Sequence, residues 1–284
     1  MASKFTWGEA LDYTVKTKWF GKASLKTNLI NGGHITAFLG RSFPVSRIDQ
    51  VQMDLFTADI RTERGIANGT INRCTTVAAT CINHCAKRNM CKPAPIFDKL
   101  DEDEGRMFWY TQDEVDQICA AAVDPFYRTE LYDIIYTAAY TGMRQGELLK
   151  IKVRDIDLGL KKIHVGGLPD VRTKPGNYRC IPMHARLVSL LSKRLEHASP
   201  NTRVFDDVGD KDALYAAFCK VRNYAGVSPL YTFHDLRHSF GTWHATAGTP
   251  MRTLMGLMGH KRIETTLRYA KHTSQAAEAA MISI

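Results

Sequence analysis

The sequence predicts a mainly α protein with one small β-sheet, an α+β arrangement in two parts. Three observations lead there. Apolar residues recur at intervals of three and four through residues 6–90 and again after Ala185. Two short β-type runs, "IKVRDIDLGLKKIHVGG" and "YRCIPM", flank the turn-rich stretch "LPDVRTKPGN". After the first helical region, "CKPAPIFDKLDEDEGR" combines two prolines, an acidic run and a glycine, the composition of a linker.

In chain order, "SLKTNLINGGHITAFLG" puts Leu25, Leu29, Ile35, Phe38 and Leu39 at helical spacing, with Gly32-Gly33 interrupting. "TINRCTTVAATCINHCAKRNM" lines up Ile71, Cys74, Val77, Cys81, Ile82 and Cys85 on one stripe. Cys81, His84, Cys85 and Cys91 are metal-ligand types, but zinc sites usually show two close ligand pairs. Cys81 and Cys85 belong to the stripe, so they read as small core residues. A linker at 93–106 then separates a helical domain, 1–92, from a second domain, 107–284. Thr111 with Glu114 three residues on forms a capping box opening a helix. "FYRTELYDIIYTAAYTG" is a long apolar helix ending at Gly142, and Arg144 falls in the first turn of the next helix, where the dipole favours an anion. The tail "SQAAEAAMISI" reads as a helix with Ala276, Ala277, Ala280 and Met281 on one face.

Composition narrows the function classes. With 284 residues and 44% hydrophobic content, a core can be buried and wholesale disorder is excluded. No run reaches the roughly 18 to 20 apolar residues of a membrane span, and no secretory h-region opens the chain, so a cytoplasmic setting is expected. Seven cysteines, an odd number without framework spacing, read as reduced thiols. The net charge is +9: residues 1–98 carry 13 Lys/Arg against 7 Asp/Glu, and the rest 25 against 22. The excess is concentrated in the N-terminal part, and a basic surface favours polyanions.

One stretch, "HDLRHSF" at 234–240, poses the functional question. His234 and His238 share a helix face, as in a zinc protease, but Asp235 replaces the expected Glu and Arg237 projects beside them. A guanidinium repels a dication and attracts an anion. Stabilising a phosphodiester transition state without a metal takes several fixed donors. Arg144 in "TGMRQGELL", Lys174 in "RTKPGN", His260 in "LMGHKRIETT" and Tyr269 in "TTLRYAKHT" could converge with His234 and Arg237. Each alone has a plain explanation: a helix-end charge, a solvated turn, a cap, a packing aromatic.

The ordered set resembles the tyrosine recombinase (phage integrase) family, carried by "TGMRQGELLKIKVRDID", "HDLRHSFGTWHATAG" and "LMGHKRIETTLRYAKH" over residues 107–275. Residues 1–90 resemble that family's helical core-binding domain more loosely, through "SLKTN" and "GTINR". The resemblance implies an integrase-type catalytic domain that cleaves and rejoins double-stranded DNA. Tyr269 would be the nucleophile, forming a 3′-phosphotyrosyl link. His234 would accept its proton, Arg144 and Arg237 would hold the non-bridging oxygens, His260 would add a hydrogen bond, and Lys174 would protonate the leaving 5′ oxygen. Glu147 would orient Arg144, against the plain alternative of an i,i+3 helix pair. His238 is given no catalytic role and reads as packing or helix surface. The covalent link conserves the phosphoester, so neither a cofactor nor a metal is expected. A homotetramer on DNA is implied, with the tail packing on a neighbour, possible accessory DNA-bending or directionality proteins and no membrane. The sequence leaves no room for the family's additional N-terminal arm-binding domain, which is expected either to be lacking or to belong to a longer chain. The alternatives are a type IB topoisomerase and a catalytically inactive DNA-binding regulator.

Overall fold

The computed structural model describes residues 5–102, 107–123, 129–167 and 178–270. It forms two compact units, divided between Gly105 and Arg106.

The first unit is helical. Helix α1 (Trp7–Thr14) opens with a capping box between Thr6 and Glu9 and continues as a π turn to Trp19. Helices α2 (Leu25–Leu39), α3 (Gln50–Arg64) and α4 (Asn68–Ala86) complete it. The expected stripe of α4 is the core: Ile71, Cys74, Ala78, Cys81 and Cys85 are fully buried. His84 sits at its edge, with Nε2 2.8 Å from the Thr17 hydroxyl. Two expectations for α2 fail. The helix runs unbroken through Gly32 and Gly33, and Leu29 is exposed. Gly32 stands where α2 crosses α1: a β-carbon there would lie 3.1 Å from Leu11 Cδ1, so a close helix crossing explains the glycine. The Trp7 indole donates to Thr36 Oγ1 across the same crossing.

The second unit begins with α5 (Gln112–Ala122), whose capping box by Thr111 and Glu114 is formed as the sequence indicates. Helix α6 (Thr129–Thr141) packs on α5, and Ile134, Ile135, Ala138 and Ala139 are buried in the core. The one-turn helix α7 (Gln145–Leu148) follows. Strands β1 (Ile156–Asp157), β2 (Lys162–Val165) and β3 (Arg179–Pro182) form an antiparallel sheet in the order β1-β2-β3, with Ile163 opposite Ile181. The β-type reading of residues 151–155 is corrected: a 3-10 turn, Val153–Asp155, occupies part of it, fixed by the Asp155 carboxylate accepting from Lys152 N–H. Helices α8 (Ala185–Leu195), α9 (Lys211–Tyr224), α10 (Asp235–Thr246), α11 (Met251–Met258) and α12 (Glu264–Ala270) complete the unit. Helix α10 is the central strut. Ser239 Oγ accepts from Tyr110 N–H, and the Trp243 indole donates to Tyr110 O. No helix among the described residues is long and apolar enough to cross a membrane.

Candidate active site

The segment that raised the metal question is built for other work. Asp235 Oδ2 accepts from the backbone N–H and hydroxyl of Thr232, closing the turn that starts α10. His234 is the residue capping that helix, and its exposed ring meets the His238 ring edge-on at 5.1 Å between centroids.

Arg237 is 4% exposed. Its Nη1 donates to Gly142 O at the end of α6, and its Nη2 donates to Met258 O at the end of α11 over 2.7 Å. Helix C-termini offer such unpaired carbonyls. No carboxylate among the described residues forms an ion pair with Arg237. Burial first, and then the nearby Arg144, lower its pKa to about 10. A buried cation without a counter-ion is costly, and an arriving anion relieves that cost.

Arg144 does not sit in the first turn of a long helix. It is the N-cap residue of α7, which has four residues, so no helix dipole of consequence acts there. Its position comes from hydrogen bonds instead. Glu147 accepts from its backbone N–H (2.8 Å) and its Nη1 (3.0 Å), and Arg144 Nη2 donates to Gly259 O (3.1 Å). Glu147 is thus more than an i,i+3 partner, because Arg179 grips the same carboxylate with both terminal nitrogens, at 3.0 and 2.7 Å.

His260 follows Gly259, a left-handed residue closing α11. Its Nδ1 lies 2.8 Å from Thr266 Oγ1. Burial, reinforced by Arg237 and Arg144, lowers its pKa to about 4, so the ring is neutral at pH 7. In the tautomer in which the Thr266 hydroxyl donates to Nδ1, the ring proton lies on Nε2 and can be donated to an oxyanion.

Tyr269 on α12 is 2% exposed. Its ring lies parallel to that of His260, with centroids 6.3 Å apart, and rests on Gly241 of α10. A β-carbon at 241 would come within 2.6 Å of the ring, so α10 needs glycine there. The ring in hydrogen-bond contact with the phenol is His238: Nδ1 to Oη is 3.0 Å. The reading of His238 as scaffold is therefore revised. Burial, then the neighbouring His234, lower the His238 pKa to about 4. Burial raises that of Tyr269, opposed by Arg237. In the tautomer of the neutral His238 ring that carries its proton on Nε2, the Tyr269 hydroxyl donates to Nδ1.

Arg144, Glu147, Arg237, His260 and Tyr269 thus converge on the ends of α6 and α11 and on α12. Lys174 and the tail residues Ala276–Met281 lie outside the described residues. His238, Thr266, Arg179 and Gly241 were missed or undervalued in sequence. Arg179 had a visible signal, a lone charge entering an apolar strand, whereas Thr266 had none.

The fold is that of an integrase-type catalytic domain. The phage integrase family model matches residues 109–276, more than half of the sequence, and the chain belongs to that family. The tyrosine recombinase XerC of Staphylococcus epidermidis is 30% identical over 145 residues, 48% of this chain and 47% of that protein. The putative prophage phiRv2 integrase of Mycobacterium tuberculosis is 29% identical over 177 residues, 56% and 46% of the two chains. The matches thus span about half the length of these relatives. Among solved structures, the Tn1549 transposon integrase in complex with transposon right end DNA superposes with a TM-score of 0.77 at 18% identity, covering 98% of this chain and 99% of that one. A lambda integrase tetramer bound to a Holliday junction gives 0.70 at 18% identity, covering 92% and 79%. At these identities the likeness is one of fold.

Proposed function

We propose that this protein is a site-specific DNA recombinase that breaks and rejoins duplex DNA through a 3′-phosphotyrosyl link, for integration or excision of a mobile element. The observation that carries this reading is Arg237: a buried guanidinium held by two carbonyls and no carboxylate, close to a buried phenol. Such a place stabilises an incoming phosphate more than any group already present.

The chemistry follows from the residues. Tyr269 Oη attacks phosphorus and forms the phosphotyrosyl bond as the bond to the 5′ oxygen breaks. The phenol proton passes to a neutral imidazole, and His238 is the one that faces it. This replaces His234 as acceptor in our reading. Arg144 and Arg237 take the developing charge on the non-bridging oxygens, and His260 adds a donor. Lys174 is assigned protonation of the 5′ oxygen by resemblance alone. Rejoining is the reverse, with the 5′ hydroxyl as nucleophile. We infer duplex DNA as partner and a homotetramer as the working assembly, the latter from the lambda integrase neighbour.

The test is covalent trapping. A nicked duplex carrying the attachment site, taken from the junction of the mobile element that encodes the protein, is incubated with wild type and Tyr269→Phe. We expect a protein–DNA adduct from wild type only. Equal adduct from both proteins would remove Tyr269 as nucleophile.

A further inference from the structure

Arg179 opens β3, and its side chain is 7% exposed. Its donors point into the site's framework. Nε donates to Leu257 O in the last turn of α11 (2.7 Å). Nη1 and Nη2 form a two-pronged bond with Glu147. The guanidinium also packs against Gly259, where a β-carbon would meet Nη1 at 2.9 Å. One buried residue therefore ties α7, β3 and the turn that presents His260.

The charges matter as much as the bonds. Two guanidiniums share one carboxylate, leaving one positive charge over. Arg179 is the buried member, whereas the Arg144 side chain is 44% exposed. Were Arg179 absent, Glu147 would become a full counter-ion for Arg144 and compete with a phosphate for it. With Arg179 present, the carboxylate orients Arg144 without neutralising it.

We propose that Arg179 is a positioning residue for strand cleavage: by clamping Glu147 it fixes Arg144 and the Gly259–His260 turn and keeps the charge of Arg144 available to the scissile phosphate. This rests on the recombinase reading above. A misplacement of about 1 Å in such a framework costs on the order of a hundredfold in rate.

Burial alone would raise the Glu147 carboxyl, but the hydrogen bonds and charge of Arg179, then of Arg144, hold it at about 2. Arg237 also acts on it electrostatically. Arg252, His260 and Lys261 share its cavity on one side, and Lys150, Asp155 and His164 on the other. Removing Arg179 takes away the strongest partner, so the buried carboxyl begins to take up protons at mildly acidic pH.

The experiment measures single-turnover adduct formation and DNA affinity for Arg179→Met, Arg179→Lys, Glu147→Gln and the double Arg179→Met/Glu147→Gln, at pH 5 to 8. We expect Arg179→Met to slow adduct formation by at least about tenfold with DNA affinity kept. We expect its rate to recover in part toward pH 5, where protonation of Glu147 releases Arg144 and wild type is level, and this acid limb to vanish in the double variant. Arg179→Lys, which restores charge but not the fork, should be intermediate; if Arg179→Met does not fold, this variant carries the test through its acid limb. Wild-type cleavage in Arg179→Met, or loss of affinity and cleavage in proportion with a level pH profile, overturns the proposal. Absence of adduct from wild type itself overturns the recombinase reading instead.

Discussion

His238 faces the Tyr269 hydroxyl, and His234 does not share that contact. Both imidazoles belong to one five-residue stretch, and only the geometry of α12 decides between them. A glutamine at 238 keeps hydrogen-bonding ability but cannot accept a proton at neutral pH. His238→Gln should slow adduct formation by about a hundredfold, the usual size of a general-base contribution, without changing DNA affinity. His234→Gln should have the smaller effect. Single-turnover cleavage by the two variants separates the assignments, and the opposite ranking returns the proton-acceptor role to His234. At this scale sequence reading named residues that the structure sets close together, such as His260 and Tyr269, but did not give their pairing. "HDLRHSF" states an anion site through Arg237, but the partner of each histidine depends on a tyrosine 31 residues away from His238 in sequence.

Helix α2 shows what spacing can and cannot say about an element. Two adjacent glycines in an amphipathic run suggest a break, because glycine costs a helix about 0.5–1 kcal/mol relative to alanine. Only one of the two has a reason to be there. A β-carbon at Gly32 would press on Leu11, whereas at Gly33 nothing lies within 4 Å. Gly33→Ala should therefore stabilise the first unit by roughly 0.5–1 kcal/mol, and Gly32→Ala should gain less or lose stability. Chemical denaturation followed by far-UV circular dichroism distinguishes them, and an equal gain from both would remove the close-crossing explanation. The α4 stripe and the Thr111 capping box were legible because both are local: a period of 3.6 and a four-residue pattern. The brevity of α7 was not, since Arg144 is placed by Glu147, Arg179 and Gly259 O, and two of those partners lie far along the chain.

At the scale of the whole molecule, buried and half-buried neutral histidines set an acid limit. His84, His238, His244 and His260 are all held below the ordinary imidazole value, each chiefly by loss of solvent. For His238 and His260 the value falls from 6.5 to about 4. Between those values the unfolded chain binds protons that the folded one refuses. Stability is thus undiminished above about pH 6.5 and declines as the pH falls toward 4. Melting temperature measured from pH 8 to 4 should show that decline, and a double His238→Gln, His260→Gln variant should flatten it; an unaltered slope would place the acid sensitivity elsewhere. The burial of Tyr269 has a different kind of consequence, one of tolerance. Its ring lies over the bare α-carbon of Gly241 and its hydroxyl is turned to His238. A methyl group at 241 would meet the ring at 2.6 Å and push the phenol away from the imidazole. The pairing on which our proposed proton transfer rests thus depends on one absent side chain.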